Sequence, residues 1–258
     1  MIYEHLSGAL RAQRPVALAT VIEGIGLGNK LLVEPDGTVL GTIGNADIDR
    51  VVTRDALGEL AAGITSTRHY GPNGEARERD VKVFIESYVL PPQMVIFGAV
   101  DFTAALARLA KLLGYRVTVC DARPVFATPR RFPMADEVVN DWPDRLLERI
   151  GTELGPRDAV CVLTHDTKFD VPAITSALRT DVGYLGAMGS RRTHEQREIR
   201  LREAGVDDAG LQRVHSPIGL DLGGRTPEET AVSICAEIIG HRTGRVGTSL
   251  SASSGPIH

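Results

Sequence analysis

The stretch MVIFGAVDFTAALARLAKLLGYRVTVCD, residues 94–121, decides the fold. Its two ends, MVIFGA (94–99) and RVTVCD (116–121), are short runs rich in β-branched and aromatic side chains, which predict strands buried on both faces. Residues 102–113 between them have the length and composition of a helix. A strand, a helix and a second strand at this spacing predict a parallel βαβ unit.

The same alternation continues through most of the chain, which extends the sheet. Further strands are predicted at 136–140, 158–166 and 181–190, and helices at about 143–154, at about 170–179 and from the arginine-rich segment to about 204. A last helix has a well-marked start, with Thr226 as N-cap, Pro227 at its first position and Glu229 completing a capping box. We therefore predict an α/β fold whose C-terminal part is a Rossmann-like, doubly wound parallel sheet.

The first ninety residues have a different pattern and predict a smaller N-terminal α+β domain. Strand-like runs cover 16–24, 30–44 and 80–89, with helices at Tyr3–Arg11 and about 48–62. In EPDG (34–37), Pro35 presets the turn and Gly37 tolerates a positive φ, which predicts a hairpin.

Two prolines in LPPQ (90–93) mark a domain boundary, because they cannot continue a central strand. We predict a small domain over 1–90, a Rossmann-like domain over 91–240 and a flexible Gly/Ser-rich tail over 241–258.

The composition is that of a soluble globular protein, with 43% hydrophobic and 24% charged residues. A net charge of −4 provides no basic field, which argues against binding to nucleic acid. Cys120, Cys161 and Cys235 are far apart in apolar runs, a pattern typical of reduced thiols in a cytoplasmic protein. No apolar run approaches the roughly 20 residues needed to span a membrane, and the N-terminus lacks the pattern of an export signal. We expect a cytoplasmic protein and, as the commonest soluble assembly, a symmetric homodimer.

Ligands of open parallel sheets bind beyond the carboxyl ends of the strands, and this rule selects four loops. These loops are 98–103, 121–123, 164–166 and 186–192. The first contains the position of a dinucleotide fingerprint, G-x-G-x-x-G, followed about twenty residues later by an acidic residue, here Asp121.

The glycines of that fingerprint are largely replaced. The chain reads Gly98, Ala99, Val100, Asp101, Phe102, Thr103. Val100 puts a branched side chain where the backbone should approach a pyrophosphate, and Asp101 adds a negative charge. An NAD(P)-dependent oxidoreductase is therefore an alternative interpretation, and a Rossmann-like scaffold without tight NAD(P) binding is the simpler one.

In the third loop, LTHD (163–166), His165 is a candidate general base or ligand and Asp166 a candidate to orient it. The alternative is that both side chains bind loop backbone ahead of a helix capped by Asp170.

The fourth loop contains adjacent arginines at a helix start. Gly186 and Gly189 permit the turn, and Ser190 or Thr193 can cap the helix. Arg191 and Arg192 are unfavourable there by about 0.3–1 kcal/mol each, which indicates that an anion joins them. The alternative is a pair of solvated arginines bound to acids such as Glu195.

A polar connection over 215–229 carries three further candidates, His215, Asp221 and Arg225. Its length and polarity indicate that it borders the same cleft, although a long structured turn would have the same composition.

Three segments together resemble the XdhC/CoxI family, the accessory factors of xanthine dehydrogenase and related molybdenum hydroxylases. They are VLTHDTKFDVPAI (162–174), YLGAMGSRRTHEQR (184–197) and VHSPIGLDLGGRTPEETAVSICAEI (214–238). The resemblance covers most of residues 92–240 and extends more loosely to the N-terminal part.

The resemblance implies a chaperone rather than a turnover enzyme. Members bind molybdenum cofactor, a pterin with a phosphate and a dithiolene-held metal, protect it during sulfuration by a cysteine desulfurase, and deliver it to the apo-hydroxylase. The phosphate, which carries a nucleotide in some bacteria, is the anion that residues 189–192 would suit. His165 and the 215–225 loop would line the same cleft.

Two departures from the family pattern stand out. A G-G-C-V-E stretch, whose cysteine is linked to cofactor binding, corresponds here to Gly44, Asn45, Ala46, Asp47, Ile48, Asp49, with Asp47 at the position of the cysteine. A carboxylate such as Asp47 cannot replace a thiolate as a soft ligand of molybdenum. The family's glycine-rich turn is likewise altered at Val100 and Thr103. These departures favour a third interpretation, a scaffold that contacts the hydroxylase or desulfurase and binds no ligand. The retained GSRRTH loop (189–194) favours ligand binding instead.

Overall fold

The computed structural model describes residues 1–75, 78–164 and 166–252. The chain forms two compact units, Met1–Leu90 and Pro91–His258.

The first unit is a five-stranded antiparallel sheet with a helix on each face. Its elements are α1 (Ile2–Arg11), β1 (Val16–Gly24), β2 (Lys30–Val33), β3 (Val39–Thr42), α2 (Ala46–Ala62), β4 (Ser66–Tyr70) and β5 (Val81–Tyr88). The strand order is β3-β2-β1-β5-β4, so the apolar β1 lies at the centre. The predicted hairpin joins β2 to β3, where the Gly37 N–H donates to the Glu34 carbonyl at 2.9 Å.

The second unit is a six-stranded parallel sheet. Its strands are β6 (Gln93–Phe97), β7 (Arg116–Cys120), β8 (Glu137–Val139), β9 (Ala159–Val162), β10 (Tyr184–Ala187) and β11 (Val214–His215). Its helices are α3 (Asp101–Leu112), α4 (Pro143–Ile150), α5 (Thr167–Ala177), α6 (Arg191–Glu203), α7 (Asp208–Gln212) and α8 (Pro227–Thr243). The order β8-β7-β6-β9-β10-β11 is 3-2-1-4-5-6 in chain order, which is the Rossmann arrangement.

Both faces of this sheet are buried, as the apolar strands predict. Met94 and Ile96 pack with α3 and α8, whereas their neighbours Val95 and Phe97 pack with α4 and α5 on the other face. Alternate residues of one strand thus belong to two cores, which explains why the run lacks a polar face.

The start of α5 differs from the prediction. Asp166 is the N-cap and accepts from the Lys168 N–H at 3.0 Å, so the assignment of the cap to Asp170 was wrong. Asp170 lies one turn inside the helix, where it is buried. Thr226 and Glu229 form the predicted capping box of α8, and Pro227 lies at the first position of that helix.

No helix in the described ranges combines the length and apolar composition of a membrane span.

Candidate functional site

The starts of α3, α5, α6 and α8 all lie at the carboxyl edge of the parallel sheet, because each of these helices follows a strand that ends at this edge. The strand order reverses between β6 and β9, the position where Rossmann sheets open a crevice. The connections after β6, β7, β9 and β10 contain most of the predicted site residues.

At Gly98 the β6 and β9 connections approach closely. Its φ is +109°, and a Cβ there would lie 2.8 Å from Thr164 Cγ2 and 3.1 Å from the Thr164 nitrogen. The Thr103 hydroxyl donates to the Gly98 carbonyl at 2.5 Å. Glycine is therefore required here to let the two loops meet. Val100 precedes α3 without a side-chain cap, and Asp101 is exposed.

Asp121 at the end of β7 is saturated with hydrogen bonds from its own chain. Its carboxylate accepts from the Ala99 N–H at 2.7 Å, from the Arg123 N–H at 2.9 Å, and from Arg123 Nε and Nη2 at 2.9 and 2.7 Å. Burial alone would raise the pKa of Asp121, but the hydrogen bonds from Arg123 and Ala99 hold that pKa below its ordinary value. These four bonds use the acceptor capacity that a ribose hydroxyl would need.

A pocket of about 480 Å³ lies at this point of strand reversal. Its walls are formed by the side chains of Val100, Arg123, Thr164, Asp166, Thr167 and Phe169. The Arg123 guanidinium carbon lies 4.6 Å from the Phe126 ring centroid and 5.8 Å from that of Phe169. The predicted candidate His165 lies outside the described residues.

The GSRRTH loop forms a capped helix start with free cations. Ser190 is the N-cap of α6, and its hydroxyl accepts from the Thr193 N–H at 3.2 Å. Arg191 and Arg192 are exposed, and neither forms an ion pair with any residue in the described ranges. The pairing with Glu195 that sequence allowed is therefore not formed. Two uncompensated cations lie at the positive end of a helix dipole.

Behind this loop lies a buried network that sequence reasoning missed. Arg197 Nη2 bonds Asp170 Oδ2 at 2.9 Å and the Met188 carbonyl at 2.6 Å, and Nη1 donates to the Ser216 hydroxyl at 2.9 Å. The Thr164 hydroxyl binds the other oxygen of Asp170. The network thereby joins the connections after β9, β10 and β11. The available signal was helical spacing, since Asp170 lies four residues before buried Ile174 and Arg197 four residues before buried Leu201.

The remaining predicted residues lie in other environments. Gly186 is buried in β10, where a Cβ would lie 2.5 Å from two atoms of Ile218, so it has a packing role. The His215 ring stacks on Tyr184 with centroids 4.7 Å apart, and its Nδ1 lies 3.8 Å from Glu237 of α8. Asp221 and Arg225 are exposed in the connection before α8.

The three cysteines are all buried. Burial raises the pKa of Cys120 to about 12 and that of Cys235 to about 11, and it also raises the pKa of Cys161. In the first unit, Asn45 caps α2 by accepting from the Asp47 and Ile48 N–H groups, and Asp47 is exposed. Across the part of the chain that the structure describes, no three His, Cys, Asp or Glu side chains are placed to hold a metal ion.

Comparison with known proteins identifies relatives of both units. The family model of the XdhC Rossmann domain matches residues 94–238, and that of the XdhC and CoxI family matches residues 9–71. The uncharacterized protein YqeB of Escherichia coli (strain K12) is 29% identical over 241 residues, covering 87% of this chain and 43% of that protein.

Two further relatives have functional descriptions. A probable xanthine dehydrogenase subunit of Bacillus subtilis (strain 168) is 33% identical over 162 residues, covering 63% of this chain and 46% of that protein. The molybdenum cofactor insertion chaperone PaoD of Escherichia coli (strain K12) is 26% identical over 146 residues, covering 57% of this chain and 39% of that protein. The chain thus spans less than half the length of these three relatives.

A crystal structure of a xanthine dehydrogenase from Bacillus halodurans has the same fold. It matches with a TM-score of 0.55 and 21% identity over 97% of each chain. The family match to the Rossmann domain covers more than half of the sequence, and the second match covers most of the first unit. The chain therefore belongs to the XdhC/CoxI family.

Proposed function

We propose that this protein is a maturation factor for a molybdenum hydroxylase of the xanthine or CO dehydrogenase type. It binds molybdenum cofactor as cargo at the carboxyl edge of the parallel sheet and delivers it to the apo-enzyme. Its partners are the hydroxylase and a cysteine desulfurase that sulfurates the cofactor, and its compartment is the cytoplasm. The family membership and the description of PaoD as an insertion chaperone support this proposal.

The observation that carries the proposal is the capped start of α6 with Arg191 and Arg192 exposed and unpaired among the described residues. Cations at a helix N-terminus lower helix stability unless an anion joins them. A phosphate bound by the free N–H groups of the first turn and by both guanidinium groups removes that cost. The cofactor's phosphate has this chemistry.

The donor set fits the phosphate end of the cofactor and not its metal end. Free N–H groups, hydroxyls and arginines suit a phosphate, whereas the thiols that could act as soft ligands are buried in the fold. We propose that residues 189–192 hold the phosphate, with Gly98, Asp166, Asp221 and Arg225 around the same edge. In this arrangement the metal end stays uncovered by protein thiolates. Once in its client enzyme, the cofactor supplies the molybdenum centre.

Two other functions are less well supported. An NAD(P)-dependent oxidoreductase would need Asp121 to bind a ribose, but that carboxylate already accepts four hydrogen bonds. A ligand-free scaffold is favoured by Asp47 at the position of the family's cysteine, since an exposed carboxylate leaves the first unit without a soft ligand there.

Binding of purified protein to molybdenum cofactor, measured by co-elution in gel filtration and fluorescence of the oxidised pterin, tests the proposal. We expect wild type to retain the cofactor and Arg191→Ala/Arg192→Ala to bind it at least about tenfold more weakly, because each charge-assisted contact contributes about 1.5–3 kcal/mol. NAD(P)H should not bind.

The matched control is Arg108→Ala/Arg242→Ala, which removes two exposed arginines from the body of α3 and the last turn of α8. Its affinity for the cofactor should equal that of wild type. Equal loss in both double variants would show a general charge effect and contradict the loop assignment. Absence of cofactor binding in wild type would favour the scaffold.

A further inference from the structure

The facing surfaces of α5 and α6 are polar where two packed helices normally meet through apolar side chains. Thr193, Gln196, Arg197 and Arg200 follow one another at the i, i+3, i+4, i+7 spacing that places them on one face of α6. From α5, Thr167, Asp170 and Val171 face them at the same kind of spacing. These seven side chains line a pocket of about 280 Å³. The two helices therefore lack close apolar packing at this point.

The pocket is electropositive. Arg197 and Asp170 form a buried ion pair, 3% and 4% exposed, whose charges cancel. Arg200 adds a positive charge that no acid within the described residues neutralises. Arg197 Nε is buried and has no hydrogen-bond partner among the described residues. The side chain of Gln196 likewise forms no hydrogen bond in the described part of the chain.

One end of the pocket lies at two helix N-termini. Thr167 is the first residue of α5, and Thr193 lies in the first turn of α6, where its hydroxyl also bonds the Ser190 hydroxyl at 2.9 Å. Both helices begin at the carboxyl edge, so the positive ends of both dipoles lie at this end of the pocket. The two threonine hydroxyls, the Gln196 amide and the Arg200 guanidinium make a donor set for a tetrahedral oxyanion.

We propose that the pocket between α5 and α6 binds a second phosphoryl group of the cargo, with Arg200, Gln196 and the hydroxyls of Thr167 and Thr193 as its ligands. It lies beside the phosphate that, under the proposed function, residues 189–192 hold at the start of α6. This inference deepens the proposed function and rests on it for the identity of the cargo, but the phosphoryl specificity belongs to the pocket itself. Asp170 does not repel the anion because Arg197 neutralises it.

Titration of the full chain with inorganic phosphate and with pyrophosphate, followed by isothermal calorimetry at constant ionic strength, tests the pocket. Arg200→Gln removes the unpaired charge, and Thr193→Val removes a hydroxyl while keeping the N–H that Ser190 caps. Arg202→Gln is the control, since Arg202 lies on the same helix but pairs with Glu198 and Asp208.

We expect phosphate to bind wild type, to bind Arg200→Gln at least about tenfold more weakly, and to bind the control as it binds wild type. Arg200→Gln and Thr193→Val binding phosphate as tightly as wild type would overturn the proposal, as would a wild type that does not bind phosphate or pyrophosphate.

The same variants in the cofactor experiment separate the two proposals. Cofactor binding that depends on Arg191 and Arg192 but not on Arg200 rejects the pocket and leaves the proposed function standing. Phosphate binding that depends on Arg200, in a protein that does not retain the cofactor, rejects the proposed function and supports the pocket as a phosphoryl site for other cargo.

Discussion

Arg197 is the side chain on which the candidate site is built. Its guanidinium binds Asp170 of α5, the Met188 carbonyl after β10 and the Ser216 hydroxyl after β11. Buried ion pairs contribute little net stability when intact, because desolvation offsets attraction, but breaking one leaves a buried charge without a partner.

Replacement of Arg197 by methionine should therefore lower the free energy of unfolding by about 3–5 kcal/mol, because Asp170 stays buried without its ion-pair partner. Urea denaturation followed by circular dichroism measures the change. In the exposed control Arg202→Met, the loss should stay below about 1 kcal/mol. A loss in Arg197→Met no larger than in this control would contradict the structural role given to the pair.

At the scale of the element, the start of α6 allows helix stability and the proposed anion binding to be tested separately. Ser190 caps the helix through its side-chain oxygen, and aspartate caps equally well. The Ser190→Asp variant should keep the thermal stability of wild type, whereas Ser190→Ala should lose about 0.5–2 kcal/mol.

Ser190→Asp should nevertheless bind phosphate and molybdenum cofactor more weakly than Ser190→Ala, because it places a negative charge where we propose that the anion binds. Calorimetric titration of both variants gives the comparison. If affinity instead follows helix stability, with Ser190→Ala the weaker binder, then the anion does not approach the cap.

The elements that sequence predicts well are those whose signal is local. The strand MVIF is apolar at every position because both of its faces are buried. The capping box of Thr226 and Glu229 can be recognised from four consecutive residues. β4 was missed because its sequence, STRHY, is polar at an exposed sheet edge, and β11 has two residues. The cap of α5 was misassigned because Asp166 and Asp170 both satisfy the composition rule, and burial of Asp170 against α6 decides between them.

The candidate site divides in the same way. The loop positions follow from the rule for parallel sheets, which needs only strand order. The α5–α6 pocket needs knowledge of which helices are neighbours, and the partners of Arg197 come from three distant segments. His215 was placed on a cleft-bordering connection, but its contact with Tyr184 and Glu237 depends on how α8 packs.

At the scale of the whole molecule, the three cysteines should behave as a reduced, inaccessible set. All are buried, and the pKa values of Cys120 and Cys235, raised by burial to about 12 and about 11, leave no thiolate at neutral pH. Ellman's reagent at pH 7.5 should react with no thiol in the folded protein and with three in guanidinium chloride. Rapid reaction of a thiol without denaturant would contradict this burial.

Acid stability should depend on Asp121. Its folded-state pKa lies below the ordinary value, because hydrogen bonds from Arg123 and Ala99 outweigh the cost of burial. Such a carboxylate contributes stability above its unfolded pKa of about 3.9, and that contribution disappears as pH falls through the lower folded value.

Asp121→Asn should therefore be less stable than wild type at pH 7, and the difference should shrink between about pH 4 and pH 2. Urea unfolding across this range gives the curve. A difference that stays constant with pH would show that the bonds to Arg123 do not depend on the carboxylate's charge. Burial raises the pKa of Asp158, so this carboxyl changes the pH dependence of stability in the opposite direction to Asp121. It does so equally in wild type and in Asp121→Asn, and it therefore cancels from the difference between them.

The four hydrogen bonds that Asp121 accepts also bear on the stability of the protein without a bound ligand. Many proteins with this sheet gain stability from a bound dinucleotide, by an amount that grows with ligand concentration. Here Arg123 and Ala99 supply from within the chain the contacts that a nucleotide would make at that carboxylate. The Asp121 carboxylate therefore has its hydrogen-bond partners without a bound ligand, and the fold at this edge does not depend on a ligand there. Under the proposed function the protein releases its cargo, and these hydrogen bonds within the chain would keep the sheet edge folded after that release.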